Sequence, residues 1–172
     1  MVSINCVGFG AFKDLRHHAQ LPIHGHRNGW GLLGRSPVLG MAFEAYQKLW
    51  RLAGVDHLHV NGLANKFWES DDSVVQSARA CLAPWGPAKA LMPVFSSGQS
   101  AAQAAETFAR LGSEDLMHLA GGGIIGHPHG TAAGVSSVRQ GWEAAVRGTS
   151  AHDYALTHPE LSEALRAFGK RA

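Results

Sequence analysis

The stretch Leu116-Met117-His118-Leu119-Ala120-Gly121-Gly122-Gly123 is a short apolar run that ends in three consecutive glycines. A run of that length bounded by glycine reads as a buried strand. Glycines at its end present backbone N–H groups with no Cβ to hold a ligand away, and such amides suit anions, phosphate above all. Upstream, Ala90-Leu91-Met92-Pro93-Val94-Phe95 ends in the same way, in Ser96-Ser97-Gly98. Two successive strand ends of small residues, each followed by a helical segment, match the phosphate site after the last two strands of a (β/α)8 barrel. Plain turn chemistry competes with that reading for either half alone.

Apolar runs at 2–8, 21–26, 57–60, 90–95 and 116–120 read as strands, and segments 11–19, 38–52, 72–81, 100–111 and 131–147 as helices. In 38–52, Met41, Ala45, Lys48 and Leu49 fall on neighbouring turns, with Phe43, Tyr46 and Trp50 on an adjoining face and Gly54 as the stop. Asp71-Asp72 suits a helix N-terminus. This alternation predicts βαβ units and a parallel sheet. A closed barrel takes about 200–250 residues or more, so length alone favours a small open doubly wound sheet. That architecture, however, carries its glycine fingerprint after the first strand, and here the glycine ends come last. The fold expected is therefore α/β: the C-terminal part, about five βα units, of a (β/α)8 TIM-type barrel over 1–150, with a helical tail over 151–172.

Composition excludes several classes of function. A formal net charge of +2 with 16% charged residues leaves no basic stripe, so no nucleic-acid partner is expected. No apolar run approaches the ~18 residues of a membrane span, and no basic region precedes the apolar start as in a signal peptide. Cys6 and Cys81 are too few for a disulfide framework, which points to the cytoplasm, with Cys6 read as core.

His24 and His26 lie two apart on one strand and so share a face, with Arg27 next; His57 and His59 repeat the spacing. Two parallel neighbours of this kind make a polar cluster that a plain core would not tolerate, although any one histidine could merely bond loop backbone. Lys66, in Asn61-Gly62-Leu63-Ala64-Asn65-Lys66, is either solvated surface or a mobile electrophile on a loop able to close over the strand ends. The proline–glycine setting of His127 and His129 favours a structured turn, and Trp50, Trp68, Trp85 and Trp142 read as packing aromatics. No acidic cluster looks like a Mg²⁺ site. A barrel hydrolase using the His-x-His pairs as zinc ligands would need an aspartate at the end of the last strand, where this chain has glycine.

Taken in order, these motifs resemble the large chain of ribulose bisphosphate carboxylase (RuBisCO) over most of 21–147. Leu21-Pro22-Ile23-His24-Gly25-His26-Arg27 is similar to that family's fifth-strand motif, and Gly54-Val55-Asp56-His57-Leu58-His59 with Asn65-Lys66 to its sixth strand and lid lysine. Pro93-Val94-Phe95-Ser96-Ser97-Gly98 resembles its seventh-strand phosphate turn, and the run from Leu119 to Pro128 its eighth-strand glycines. Trp30 stands where the carboxylase has a further active-site histidine, and Ser97 where its phosphate turn has a glycine. The departures point to a RuBisCO-like protein, most similar to the 3-oxo-isoapionate 4-phosphate decarboxylase and transcarboxylase branch, rather than to the carboxylase proper. The resemblance implies a carbon–carbon lyase acting through an enediolate, with His26 and Lys66 catalytic. Arg27, His59, Ser96, Ser97, Gly98, Gly121, Gly122 and Gly123 would bind a phosphorylated sugar-acid substrate. It also implies Mg²⁺ held by a carbamylated lysine and carboxylates, none of which can be placed on this sequence. The sequence begins near the family's fourth strand, so those ligands are expected upstream of Met1. A homodimer is implied for the full-length chain. Alone, the chain reads equally as a catalytically incompetent fragment.

Overall fold

The computed structural model describes residues 1–169. Its elements in chain order are β1 (Val2–Ser3), α1 (Ile4–Val7), α2 (Phe9–His18), β2 (His24–His26), α3 (Gly31–Gly34), α4 (Phe43–Ala53), β3 (His57–His59), α5 (Asp71–Leu82) and β4 (Met92–Phe95). A 3-10 turn (Ala101–Gln103), α6 (Ala104–Leu111), β5 (Met117–His118), α7 (Gly121–Ile125), α8 (Gly130–Val146), α9 (Ala151–Ala155) and α10 (Pro159–Phe168) follow. The five strands form one sheet in the order β1-β2-β3-β4-β5. Pairing is parallel, with Val2 opposite Gly25, His24 opposite His57, and His59 opposite Val94. Parallel neighbours cannot be joined by a tight turn, and the helices between the strands are the crossovers they require.

The chain divides into two compact units. The first comprises Met1–Val60, Val75–Val94 and Asp115–Met117. Its core is built around α4, whose Trp50 is buried, stacked on Phe9 at 4.2 Å and met edge-on by Phe12 at 5.3 Å. Gly54 ends α4 in the left-handed conformation, φ 99°, and its N–H donates to Arg51 O. Arg51 is itself buried and donates to the carbonyls of Ala83, Ala88 and Lys89, which fixes the approach to β4. Asp56 sets β2 against β3: its Oδ2 accepts from Arg16 at 2.8 Å and from the Ile23 N–H at 2.6 Å.

The second unit comprises Asn61–Val74, Phe95–Glu114 and the chain from His118 onward. Leu161 and Ala164 of α10 are buried with Ala101. Gln140 of α8 accepts from the Leu161 N–H at 2.9 Å and donates to Glu160 at 2.8 Å. Ser100 and Gln103 form a capping box that starts the turn into α6.

Several expected elements are shorter or different. The run 2–8 holds a two-residue strand, after which Ile4–Val7 turns into helix and buries Ile4, leaving Cys6 exposed rather than in the core. Residues 38–42 lie outside α4, where Gly40 adopts φ 150° and Val38 and Leu39 are exposed. The short α3 was not foreseen. In the tail expected over 151–172, α9 and α10 form, and its last three residues, 170–172, lie outside the described residues.

Candidate functional site

In the first unit, register turns the His-x-His spacing into a cluster. Parallel pairing sets His24 beside His57, and the period of two keeps His26 and His59 on the same faces as their partners. His24 Nε2 lies 2.7 Å from His59 Nε2, and the rings of His26 and His59 are 4.6 Å apart. Arg27 is buried, with its guanidinium carbon 4.4 Å from the centre of the Phe43 ring. Burial, with the neighbouring His26, His24 and Arg27 charges adding to it, lowers the His59 pKa from 6.5 to about 3. Burial, then His57 and the terminal amino group, lowers His24 too. At neutral pH His59 is therefore neutral, and Arg27 is the fixed positive charge. The Asn28 N–H donates to His26 Nδ1 at 3.1 Å, so the proton of a neutral His26 sits on Nε2. The cluster is an arginine flanked by imidazole N–H donors, which is chemistry suited to a carboxylate or phosphate. Trp30 contributes packing only: it is buried, 4.8 Å from the Phe43 centroid and 4.9 Å from that of Tyr46.

In the second unit, the serine turn and the lysine loop meet. The Ser96 N–H donates to Asn61 O at 3.1 Å and the Lys66 N–H to Ser97 O at 3.2 Å. Ser97 Oγ donates to Asn61 Oδ1 at 2.9 Å and lies 3.4 Å from Ser96 Oγ. Ser97 and Gly98 have φ of 72° and 96°, so the serine holds a backbone conformation natural to glycine. Lys66 is exposed, its Nζ 5.6 Å from the Phe67 ring centre, and Trp68 beside it is exposed rather than packed. Gly121, Gly122 and Gly123 open helix α7 instead of extending a strand, so their N–H groups are first-turn amides without an acceptor inside the helix. Around Gly121 and Gly122 a Cβ would meet only open space. At Gly123 it would come within 2.7 Å of Ser100 Cα and 2.9 Å of Gln99 O, so only glycine lets α7 start against the residues that follow Gly98.

Sequence reasoning missed Asn61 and Glu69, which tie this second cluster together. The one local signal was Asn61-Gly62, a pair that favours left-handed backbone. Two other histidines bond backbone groups. His127 bonds Glu160 O at 3.0 Å and accepts from the His129 N–H at 3.1 Å, while half-buried His118 bonds Ser100 O at 3.1 Å. Among the described residues, no group of three or more His, Cys, Asp or Glu side chains could hold a metal ion. The residues present thus fit neither the implied Mg²⁺ site nor a zinc hydrolase. No helix among the described residues is long and apolar enough to cross a membrane.

The profile of the family "Ribulose bisphosphate carboxylase large chain, catalytic domain" matches residues 1–168. The chain belongs to the RuBisCO large-chain family. It is 55% identical over 167 residues to a 3-oxo-isoapionate-4-phosphate transcarboxylase/hydrolase of Xanthobacter autotrophicus, covering 96% of this chain and 40% of that protein. It is 46% identical over 170 residues to a 3-oxo-isoapionate-4-phosphate decarboxylase of Rhizobium rhizogenes, covering 98% of this chain and 41% of the relative. A crystal structure of a RuBisCO-like protein from Burkholderia fungorum matches with a TM-score of 0.93 and 52% identity, over 96% of this chain and 42% of that one. This RuBisCO-family chain thus spans about two fifths of the length of the relatives it matches, 40% and 41% for the two named here. Its parallel α/β sheet is the C-terminal part of the family's barrel.

Proposed function

We propose that this chain is the anion-handling part of a RuBisCO-like carboxy-lyase that acts on a phosphorylated keto-sugar acid of the 3-oxo-isoapionate 4-phosphate kind. The observation that carries the reading is the Arg27 cluster: one buried fixed cation held against Phe43, with the neutral His59 imidazole on the adjoining strand. A site of this kind recognises a carboxylate or phosphate through a fixed positive charge. The names of the relatives support the same substrate class. Burial of Trp30 among aromatics supports a departure from the carboxylase proper, since no histidine can act from that position.

Loss of CO2 from a β-keto acid that bears a hydroxyl on the intervening carbon passes the C–C electron pair onto that carbon and the keto oxygen, as an enediolate. In this reading His26, protonated at Nε2, donates to a substrate oxygen or returns the proton to carbon. Lys66 neutralises the carboxylate or the charge that develops as it leaves. Ser96, Ser97, Gly98 and the amides of Gly121, Gly122 and Gly123 bind a phosphate, Arg27 and His59 an anionic group. Mg²⁺, which the resemblance implies, would take its ligands from segments other than the described residues. The same proposal takes the full-length chain as a cytoplasmic homodimer. The test is CO2 release from 3-oxo-isoapionate 4-phosphate by the full-length protein, with Arg27→Gln as the control. No release by the wild type, or equal release by R27Q, overturns the reading.

A further inference from the structure

The loop that carries Lys66 is closed at its base by side chains. Asn61 Nδ2 donates to Glu69 Oε2 at 2.6 Å, and Ser73 Oγ donates to Glu69 Oε1 at 2.9 Å. Glu69 is 6% exposed, although Phe67, Trp68 and Ser70 around it are exposed. Burying a carboxylate is costly unless hydrogen bonds replace its hydration, and these two bonds do so. The other end of the Asn61 amide faces the serine turn, where Oδ1 accepts from Ser97 Oγ at 2.9 Å. Gln99 adds a further tie, its Nε2 donating to Leu63 O at 2.9 Å. Asn61 and Ser97 have φ of 64° and 72°. Left-handed backbone is unfavourable for residues with a Cβ and persists where the surroundings over-determine it. Here the two strained residues hold each other through their side chains.

We propose that Asn61 and Glu69 are positioning residues that clasp the Lys66 loop to the Ser96-Ser97 turn, so that the ammonium-bearing loop and the anion-binding turn keep one geometry. The inference rests on the function proposed above in assigning Lys66 and Ser96 to the substrate anion. The clasp is directional: Glu69 accepts, while Asn61 donates from Nδ2 and accepts at Oδ1. Asn61→Asp removes the donor and sets a second carboxylate against Glu69. Glu69→Gln in the same chain restores an amide donor facing the new carboxylate.

Two backbone bonds report on the clasp directly, Lys66 N–H to Ser97 O and Ser96 N–H to Asn61 O. Amide exchange at Lys66 and Ser96 is to be measured by NMR at pH 7, with the Leu161 N–H, bonded to Gln140, as an internal reference. N61D is expected to speed exchange at both amides together by about tenfold or more, and N61D/E69Q to return both to within about twofold of wild type. Faster exchange at Lys66 alone, or a double variant no slower than N61D, overturns the clasp. Should Leu161 also exchange faster in N61D, Ser97→Ala takes its place: it removes the hydroxyl bond to Asn61, along with the longer contact to Ser96 Oγ, and unchanged exchange at Lys66 and Ser96 would overturn the proposal. In the full-length protein the rescue should extend to kcat, lowered by N61D and recovered by N61D/E69Q. A wild-type protein without CO2 release would sink the proposed function, while the exchange data would still decide the clasp.

Discussion

Acidification from pH 7 to pH 5 should destabilise the first unit through His59. In an unfolded chain this imidazole takes up a proton near 6.5; in the folded chain it does so only near 3. The unfolded state therefore binds more protons as pH falls below 6.5. The contribution of His59 to stability is complete above that pH and is lost progressively toward 3. From 6.5 to 5 the interval is about 1.5 pH units, worth about 2 kcal/mol at ~1.4 kcal/mol per unit, or about 1 kcal/mol after solvent screening. His24, lowered chiefly by burial, acts in the same direction. The groups that oppose a second proton here are Arg27, His26 and His57 with the terminal amino group. The assay is urea unfolding at pH 5, 6, 7 and 8 for wild type and for His59→Gln, which keeps a polar side chain but does not titrate. Wild type should lose about 1 kcal/mol more than H59Q between pH 7 and 5. Equal losses would refute the reasoning, as would an imidazole NMR titration of His59 at 6.5 or above. The latter would mean that a proton shared across the His24–His59 contact outweighs burial and the surrounding positive charge.

Lys66→Ala in the full-length protein should cost about 10²–10³ in turnover, because a positioned cation is worth that much where charge develops. Its effect on urea-unfolding stability should stay within about 0.5 kcal/mol, since the side chain is exposed. Arg51→Met should lower stability by about 1–3 kcal/mol in the same measurement, because three part-buried backbone carbonyls lose a charged donor together. Gly123→Ala should cost about 1–3 kcal/mol, because the added methyl meets Ser100 backbone rather than a movable side chain.

The order of elements was legible because each apolar run is bounded by glycine, proline or a polar turn. Strand length was not, and the first run shows why. Apolar residues mark burial, and Ile4 is fully buried, yet it is buried from a helical turn that starts as soon as the ladder with β2 ends at Ser3. A hydrophobic run satisfies burial on either backbone, so periodicity over so few residues cannot place the transition. The reverse holds at 38–42, where Val38 and Leu39 continued the apparent helical pattern but stand exposed. There the backbone of Gly40 sets the course of the chain, and α4 begins only at Phe43.

The two clusters differ in legibility for a related reason. His24, His26, His57 and His59 could be read from spacing because a strand turns a separation of two into a shared face, and parallel register carries it to the neighbour. Asn61 and Ser97 carry no such rule: they lie 36 residues apart, and each takes its meaning from the other. A serine in place of glycine ordinarily argues against left-handed backbone. At φ 72° Ser97 keeps that backbone, and its hydroxyl is bonded to an asparagine that is left-handed as well. The serine that stands where the family's phosphate turn has a glycine thus adds a side-chain bond between that turn and the lysine loop. A buried glutamate then completes the attachment from the loop's far end. What distinguishes this turn from one built on glycine is therefore the loop fastened to it, which is why Asn61, Glu69 and Ser97 are the positions where exchange and turnover should respond together.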